Sequence, residues 1–253
     1  APMPDRPTLS AILIVNNERD NVADCLGTLG FCDEIVVVDS GSSDDTKAIA
    51  EGLGAKVFVE DDWQGFGVQK QRALARAACD WVLSVDADER IPEGLRDEIL
   101  SALGDPAFAG YRLNRLSWFL GRPMRHGGWY PDRILRLARR DKARFTPAVV
   151  HEALVVDGPV GQLEEPMTHL SYRSIDDVLG KMRRYALASA EARRRQGVKG
   201  GLGRAVARSL FAFSKCYVLQ LGVLDGSRGF VAAVYRGQET FWRYLAAGWE
   251  DGS

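Results

Sequence analysis

Histidines, paired cysteines and long apolar runs are all scarce in this 253-residue chain, and each shortage removes a class of function. The four cysteines, Cys25, Cys32, Cys79 and Cys216, lack the short paired spacings of zinc or redox sites. No signal-peptide-like segment opens the sequence, so these thiols are expected to be reduced and core-packed in a cytosolic protein. No stretch of eighteen uncharged apolar residues occurs, which argues against a simple membrane span. Only three histidines, His126, His151 and His169, are present to titrate near neutrality. Net charge is scarce as well, at −1, and no nucleic-acid partner is expected. The charge is unevenly spread, however: residues 1–172 carry net −8 and residues 173–253 net +7. What is plentiful is hydrophobic content, 46%, enough for one large domain or a domain with an appendage.

Over the first hundred residues, strand-like and helix-like segments alternate. TLSAILIV (8–15), EIVVVD (34–39), KVFVE (56–60) and WVLSVD (81–86) are short apolar runs rich in β-branched residues, as in strands covered on both faces. Between them lie NVADCLGTL, DDTKAIAEGLG and GVQKQRALARAA, with apolar residues at helical spacing. The β-α-β-α-β-α-β order predicts a parallel sheet whose ligands bind beyond the carboxyl ends of its strands. Residues 110–172 read as shorter strands, and the chain is helical from 174 onward.

Three carboxylates, Asp86, Asp88 and Glu89, follow the strand at 81–86. Unpaired carboxylates this close repel one another and resist burial. A Mg²⁺ or Mn²⁺ ion relieves that cost, taking one or two carboxylates plus phosphate oxygens. An acidic strand-to-helix turn that caps the next helix explains the same residues. Two further strand ends weigh on the choice. VVVDSGSSDDT delivers Asp39 into a loop with Gly41 and Ser42, and LIVNNERDN delivers Asn17 and Glu18. Asp39 alone reads equally as an Asx-turn before a helix. The three polar strand ends together fit a nucleotide, with a metal held near 86–88 reaching its diphosphate.

The early NNE, the VVVDSGSSDDT loop and SVDADE resemble family 2 inverting glycosyltransferases of the GT-A fold. GFGVQKQRAL, FLGRPMRHGGWYPDRILRLARR, VVHE, HLSYRS and LDGSRGF narrow the resemblance to lipopolysaccharide core glycosyltransferases, the branch with β-1,4-glucosyltransferases acting on inner-core heptose. It spans about residues 8 to 245. It implies an α/β GT-A (nucleotide-diphospho-sugar transferase) fold with a mostly parallel central sheet, over residues 1–172, followed by a helical region at 173–253. Residues 8–109 would bind the nucleotide sugar and 110–172 the acceptor. The implied donor is UDP-glucose or a similar nucleotide sugar, and the acceptor a saccharide, free or lipid-linked.

The resemblance also implies roles. Asp39 would contact the nucleobase, Asn17 or Glu18 the nucleoside, and Gly41 and Ser42 the nucleotide sugar. Asp86 would lie near ribose or metal, Asp88 would be the principal ligand for Mg²⁺ or Mn²⁺, and His169 a later one. Asp132, just before the strand RILRL, is the expected catalytic base, although Pro131 stands where many relatives carry Glu. Glu152 beside His151 offers a rival base or an acceptor contact. Arg125, His126 and Trp129 are acceptor-cleft candidates, Arg for phosphate and Trp for a sugar face. Lys70 and Arg72 read as diphosphate contacts or as solvated surface.

In the tail, Arg204, Arg208 and Lys215 fall within about 40° on a helical wheel. Such a stripe suits an interfacial helix on anionic lipid, which would place the protein at the cytoplasmic face of the inner membrane. It equally suits a packed bundle edge or a contact with a second subunit. Two other readings of the chain stand beside the transferase. A sugar nucleotidyltransferase would carry a Gly-rich basic loop after the first strand, and LIVNNERDN has neither glycine nor lysine. A catalytically silent GT-A-like scaffold would have no need of the carboxylates at 39, 86, 88 and 132.

Overall fold

The structure is a computed structural model that describes residues 6–147 and 152–249. Its first hundred residues form β1 (Leu9–Val15), α1 (Arg19–Gly27), β2 (Glu34–Asp39), α2 (Thr46–Gly52), β3 (Lys56–Val59), α3 (Phe66–Arg76) and β4 (Trp81–Ser84). The four strands pair in the order β3-β2-β1-β4, all parallel. Strand β4 stops two residues short of the expected end, and the chain returns to the sheet as β5 (Glu89–Arg90) before α4 (Glu93–Ala102). Then follow β6 (Gly110–Phe119), β7 (Arg122–Pro123), β8 (Asp132–Arg139), β9 (Ala143–Phe145), β10 (Leu154–Val156) and β11 (Val160–Tyr172). The sheet continues from β4 through β8, β6 and β11 to β5, with β8 antiparallel to β4 and β5 antiparallel to β11. The mixed α/β sheet is thus parallel where the nucleotide-binding pattern was read, and the antiparallel pairs of β8 with β4 and of β5 with β11 come beyond it.

Successive side chains of a strand point to opposite faces, so β1 feeds two cores. Leu9, Ala11, Leu13 and Val15 pack with Val22, Cys25 and Leu26 of α1 and Leu95 and Ile99 of α4. Ile12 packs on the other face with Val36, Val38, Ala73 and Leu74, the last two from α3. Coverage on both faces is why these strands read as unbroken apolar runs. Burial pushes the Cys25 and Cys32 thiols up to about 12, and all four cysteines are free.

The chain divides into two compact units, residues 1–115 with 133–169, and residues 116–132 with 170–253. The second unit contains α5 (Ile175–Arg195), α6 (Leu202–Ser214) and α7 (Gly226–Gly248). A capping box starts α5: Ser174 Oγ accepts from Asp177 N–H at 3.0 Å, and Asp177 accepts from Ser174 N–H at 3.1 Å. Its core joins Phe119, Met124, Val178, Ala232 and Tyr235, flanked by Trp129 and Tyr172. No helix among the described residues is long and apolar enough to cross a membrane.

Candidate active site

Strands β2, β1 and β4 are neighbours and parallel, so their carboxyl ends open on one edge of the sheet. Asn17, just beyond β1, has φ 55, a left-handed conformation that Asn tolerates better than most residues. Its side-chain Oδ1 accepts from Ser43 N–H at 2.9 Å, while its backbone N–H donates to Ser42 Oγ at 2.9 Å. Glu18 N–H donates to Thr46 Oγ1 at 2.8 Å. The loop after β1 is thereby laced to the loop after β2. Asp39 is buried and accepts from Ser42 N–H at 2.7 Å, the turn geometry open to an Asp before a Ser/Gly loop. Gly41, at φ 85, lets the chain reverse there.

The carboxylates after β4 divide their work. Asp86 is held from two sides: Lys70 Nζ lies 3.0 Å from one oxygen, and the Arg136 guanidinium binds the other. Arg136 also reaches Glu89 at 2.7 Å, and Glu89, fully buried, accepts from Asp86 N–H at 2.9 Å. Burial alone would lift the Asp86 carboxyl, but Arg136 and Lys70 outweigh it and hold it well below the usual carboxylate range. Burial pushes Glu89 up, against the pull of Arg136 and with the charge of Asp86 adding to it. Two carboxyls three residues apart are thus driven in opposite directions.

Asp88 turns elsewhere. Its Oδ2 lies 3.3 Å from Nε2 of His169, which β11 brings up by pairing His169 with Glu89. Among the described residues no three His, Cys, Asp or Glu side chains form a metal cage. One carboxylate and one imidazole facing each other, with Asp86 engaged by cations, still match the chemistry of Mg²⁺ or Mn²⁺, which take few protein ligands and let phosphate oxygens and water complete the shell.

Lys70 Nζ also binds Glu152 at 2.9 Å, so a single ammonium links the expected donor-side Asp86 with Glu152. Both border a cleft of about 510 Å³ that Arg112, Arg115 and Arg136 line as well. Its cations outnumber its carboxylates, which suits an anionic ligand. Arg136 did not stand out in the sequence, and Glu89 did so only as one of three carboxylates. The available signal was the surplus of carboxylates at 86–89, which demands cations without saying whether protein or metal supplies them.

The acceptor candidates lie in the second unit, except His151, which falls outside the described residues. His126 is anchored to Asp225, with Nδ1 and the backbone N–H each 2.9 Å from that carboxylate. The Trp129 ring packs edge-on against Phe119 and Tyr172, with centroids 5.6 Å apart in each case. Arg125 lies over the Tyr130 ring at 5.9 Å. Asp132 is the first residue of β8 and closes the 116–132 segment of that unit.

Comparison with known proteins gives this arrangement its family. The glycosyl transferase family 2 model matches residues 10–151. A lipopolysaccharide core biosynthesis glycosyltransferase, LpsC of Rhizobium meliloti, is 30% identical over 240 residues, 89% of this chain and 86% of its own. A glycosyltransferase of Rickettsia conorii is 31% identical over 89% of this chain and 84% of its own. A mannosyltransferase from Pyrobaculum calidifontis, solved with GDP-Man and Mn²⁺, superposes with a TM-score of 0.54 at 17% identity, covering 96% of this chain and 86% of its own. That likeness is one of fold, shared with a GT-A enzyme. The chain is a glycosyltransferase that belongs to family 2, related to the enzymes of lipopolysaccharide core biosynthesis.

Proposed function

We propose that the chain moves a sugar, with inversion, from a nucleoside-diphosphate donor such as UDP-glucose to a saccharide hydroxyl such as that of an inner-core heptose. The pairing of Asp88 with His169 on the sheet edge that also carries the Asn17 and Asp39 loops is the observation that carries this reading. Asp39, Asn17, Glu18, Gly41 and Ser42 would receive the nucleoside. Asp88 and His169 would hold Mg²⁺ or Mn²⁺, whose contribution when bound is to neutralise charge on the departing diphosphate. The mannosyltransferase solved with GDP-Man and Mn²⁺ supports a divalent ion in this fold. Asp86, tied to Lys70 and Arg136, positions the loop that presents Asp88.

The acceptor oxygen attacks the anomeric carbon opposite the diphosphate, the C–O bond to the leaving group breaks, and the hydroxyl proton passes to a carboxylate. Asp132 is assigned as that base on the family resemblance, with Glu152, which pairs with Lys70, as its rival. The cationic cleft beside Glu152 would receive a charged part of the acceptor. Asp88→Ala and His169→Ala test the site. Calorimetric titration of UDP with and without Mn²⁺ should show that either variant loses the metal-dependent part of binding. Nucleotide release from a panel of nucleotide sugars should fall with it. Undiminished Mn²⁺-dependent UDP binding in Asp88→Ala would remove the metal from this pair.

A further inference from the structure

The helical unit carries an apolar surface that its own core does not use. In α6 only Ala205 is buried, while Leu202, Val206, Leu210 and Phe211 are exposed, Leu210 to 64%. A π-helical turn at Lys215–Leu219 and a 3-10 turn at Gly222–Asp225 then lead into α7. Val218, Leu219, Leu221, Val223 and Leu224 of this connection are all exposed, Leu219 to 69%. Connections between helices are ordinarily built from Gly, Asn, Asp and Ser, which satisfy turn geometry without exposing apolar surface. Leu221 departs furthest from that habit, since it sits at φ 58, where a leucine is uncommon. The connection is nonetheless fixed against α7: a Cβ placed on Gly229 would lie 1.8 Å from the Gly222 carbonyl oxygen.

The charge around this surface is of one sign. From Ala192 to Leu224 there are seven Lys and Arg residues and no Asp or Glu. Arg204, Arg208 and Lys215 are exposed and lie within about 60° of Phe211 on the α6 wheel, at about 100° per residue. A second copy docking the same patch on itself would set these cations against one another. An anionic surface that also accepts apolar side chains meets both features, and a bilayer with acidic headgroups is such a surface.

We propose that the tip of the α6–α7 hairpin docks on an anionic lipid surface, with Phe211, Val218, Leu219, Leu221 and Leu224 entering the interface and Arg204, Arg208 and Lys215 against the headgroups. The proposal rests on the transferase reading above and would hold the enzyme at a membrane surface where a lipid-anchored saccharide acceptor is presented. The test is co-sedimentation of the full chain with phosphatidylcholine vesicles containing about one third phosphatidylglycerol, against pure phosphatidylcholine, at low and high salt. The parent should bind only the anionic vesicles, and high salt should release it. Changing Arg204, Arg208 and Lys215 together to Gln should weaken binding about 10²-fold, near fivefold per cation. Leu219→Ser with Leu224→Ser should weaken it at every salt concentration. Nucleotide release with a water-soluble acceptor fragment should be unchanged in both variants, which separates failure of docking from failure of the transferase reading. Equal binding to neutral vesicles, no binding at all, or full binding by both variants overturns the proposal. So does a concentration-dependent dimer that Leu219→Ser with Leu224→Ser abolishes in a protein indifferent to vesicles, since a second copy is then the occupant.

Discussion

Replacing Arg136 with Met should expose how the carboxylates after β4 are tolerated. Arg136 is 7% exposed, and its guanidinium is the shared partner of Asp86 and the fully buried Glu89. Removing one side of a buried ion pair costs about 3–5 kcal/mol, because the partner charge stays behind without compensation. In a chain of this size that corresponds to a fall of about 6–20 °C in Tm. Asp86 keeps Lys70 at 3.0 Å, so the burden falls on Glu89, whose nearest other cation is Arg115 at 3.8 Å. Burial already pushes Glu89 above its ordinary 4.5, and loss of Arg136 pushes it further. The native state then holds a proton that the unfolded chain has released, so stability falls as pH rises above about 4.5. Urea denaturation of the variant should therefore show its largest deficit near about pH 8 and recover toward about pH 5. Adding Glu89→Gln should restore most of the loss and flatten the pH profile. A loss that does not vary with pH, or that persists in the double variant, would refute the account and place the cost in packing around Arg136.

Asp132→Asn should lower turnover about 10²–10⁴-fold with donor affinity near that of the parent, and the same defect in Glu152→Gln instead would move the base to Glu152. Steady-state rates combined with direct measurement of nucleotide binding separate the two. Glu34 anchors β2 through Ser10 Oγ at 2.6 Å, Ala78 N–H at 2.8 Å and Lys56 Nζ at 2.7 Å. Glu34→Leu strands the buried Ser10 hydroxyl and the Ala78 amide, which should cost about 1–3 kcal/mol by denaturant titration. Burial works against the charge on Glu34, but these bonds prevail and lower its pKa. Its contribution is therefore present above about pH 4.5 and is lost as pH falls through the folded value, so parent and Glu34→Gln should converge in acid.

The parallel half of the fold was legible because strands buried on both faces must be apolar throughout. EIVVVD appears in the structure residue for residue as β2, and TLSAILIV appears as β1 without its first residue. The end of β4 was less legible: apolar continuity through Val85 predicts a longer strand, but the Asp86–Asp88 segment leaves the ladder so that Glu89 can re-enter beside β11. Composition at 81–90 announces the excess of negative charge. It cannot announce Arg136, which lies fifty residues away on a strand whose apolar neighbours, Leu135 and Leu137, dominate its pattern. Similar distance hid the partner of His126: a histidine beside a Gly-Gly turn gives no sign of Asp225, to which the tertiary fold brings it. Trp129 shows the ambiguity of aromatic residues, since the flat ring that suits a sugar also suits the cluster of Phe119 and Tyr172.

The pairing of β11 with β5 has a temporal side. Alternate residues of a strand face opposite ways, so a slip of one residue in that two-residue ladder would carry His169 to the wrong face and part it from Asp88. The contact joins positions 88 and 169, and ordering so long a loop comes late in folding. On the ribosome, a chain that has not yet emerged past residue 169 can build β1 to β4 and the loops laced around Asn17, yet it lacks half of the proposed donor pair. Competence for transfer would then arrive as an all-or-none event once β11 has emerged and paired, so that truncated or misregistered products carry the loops around Asn17 and Asp39 without being able to discharge a costly activated sugar.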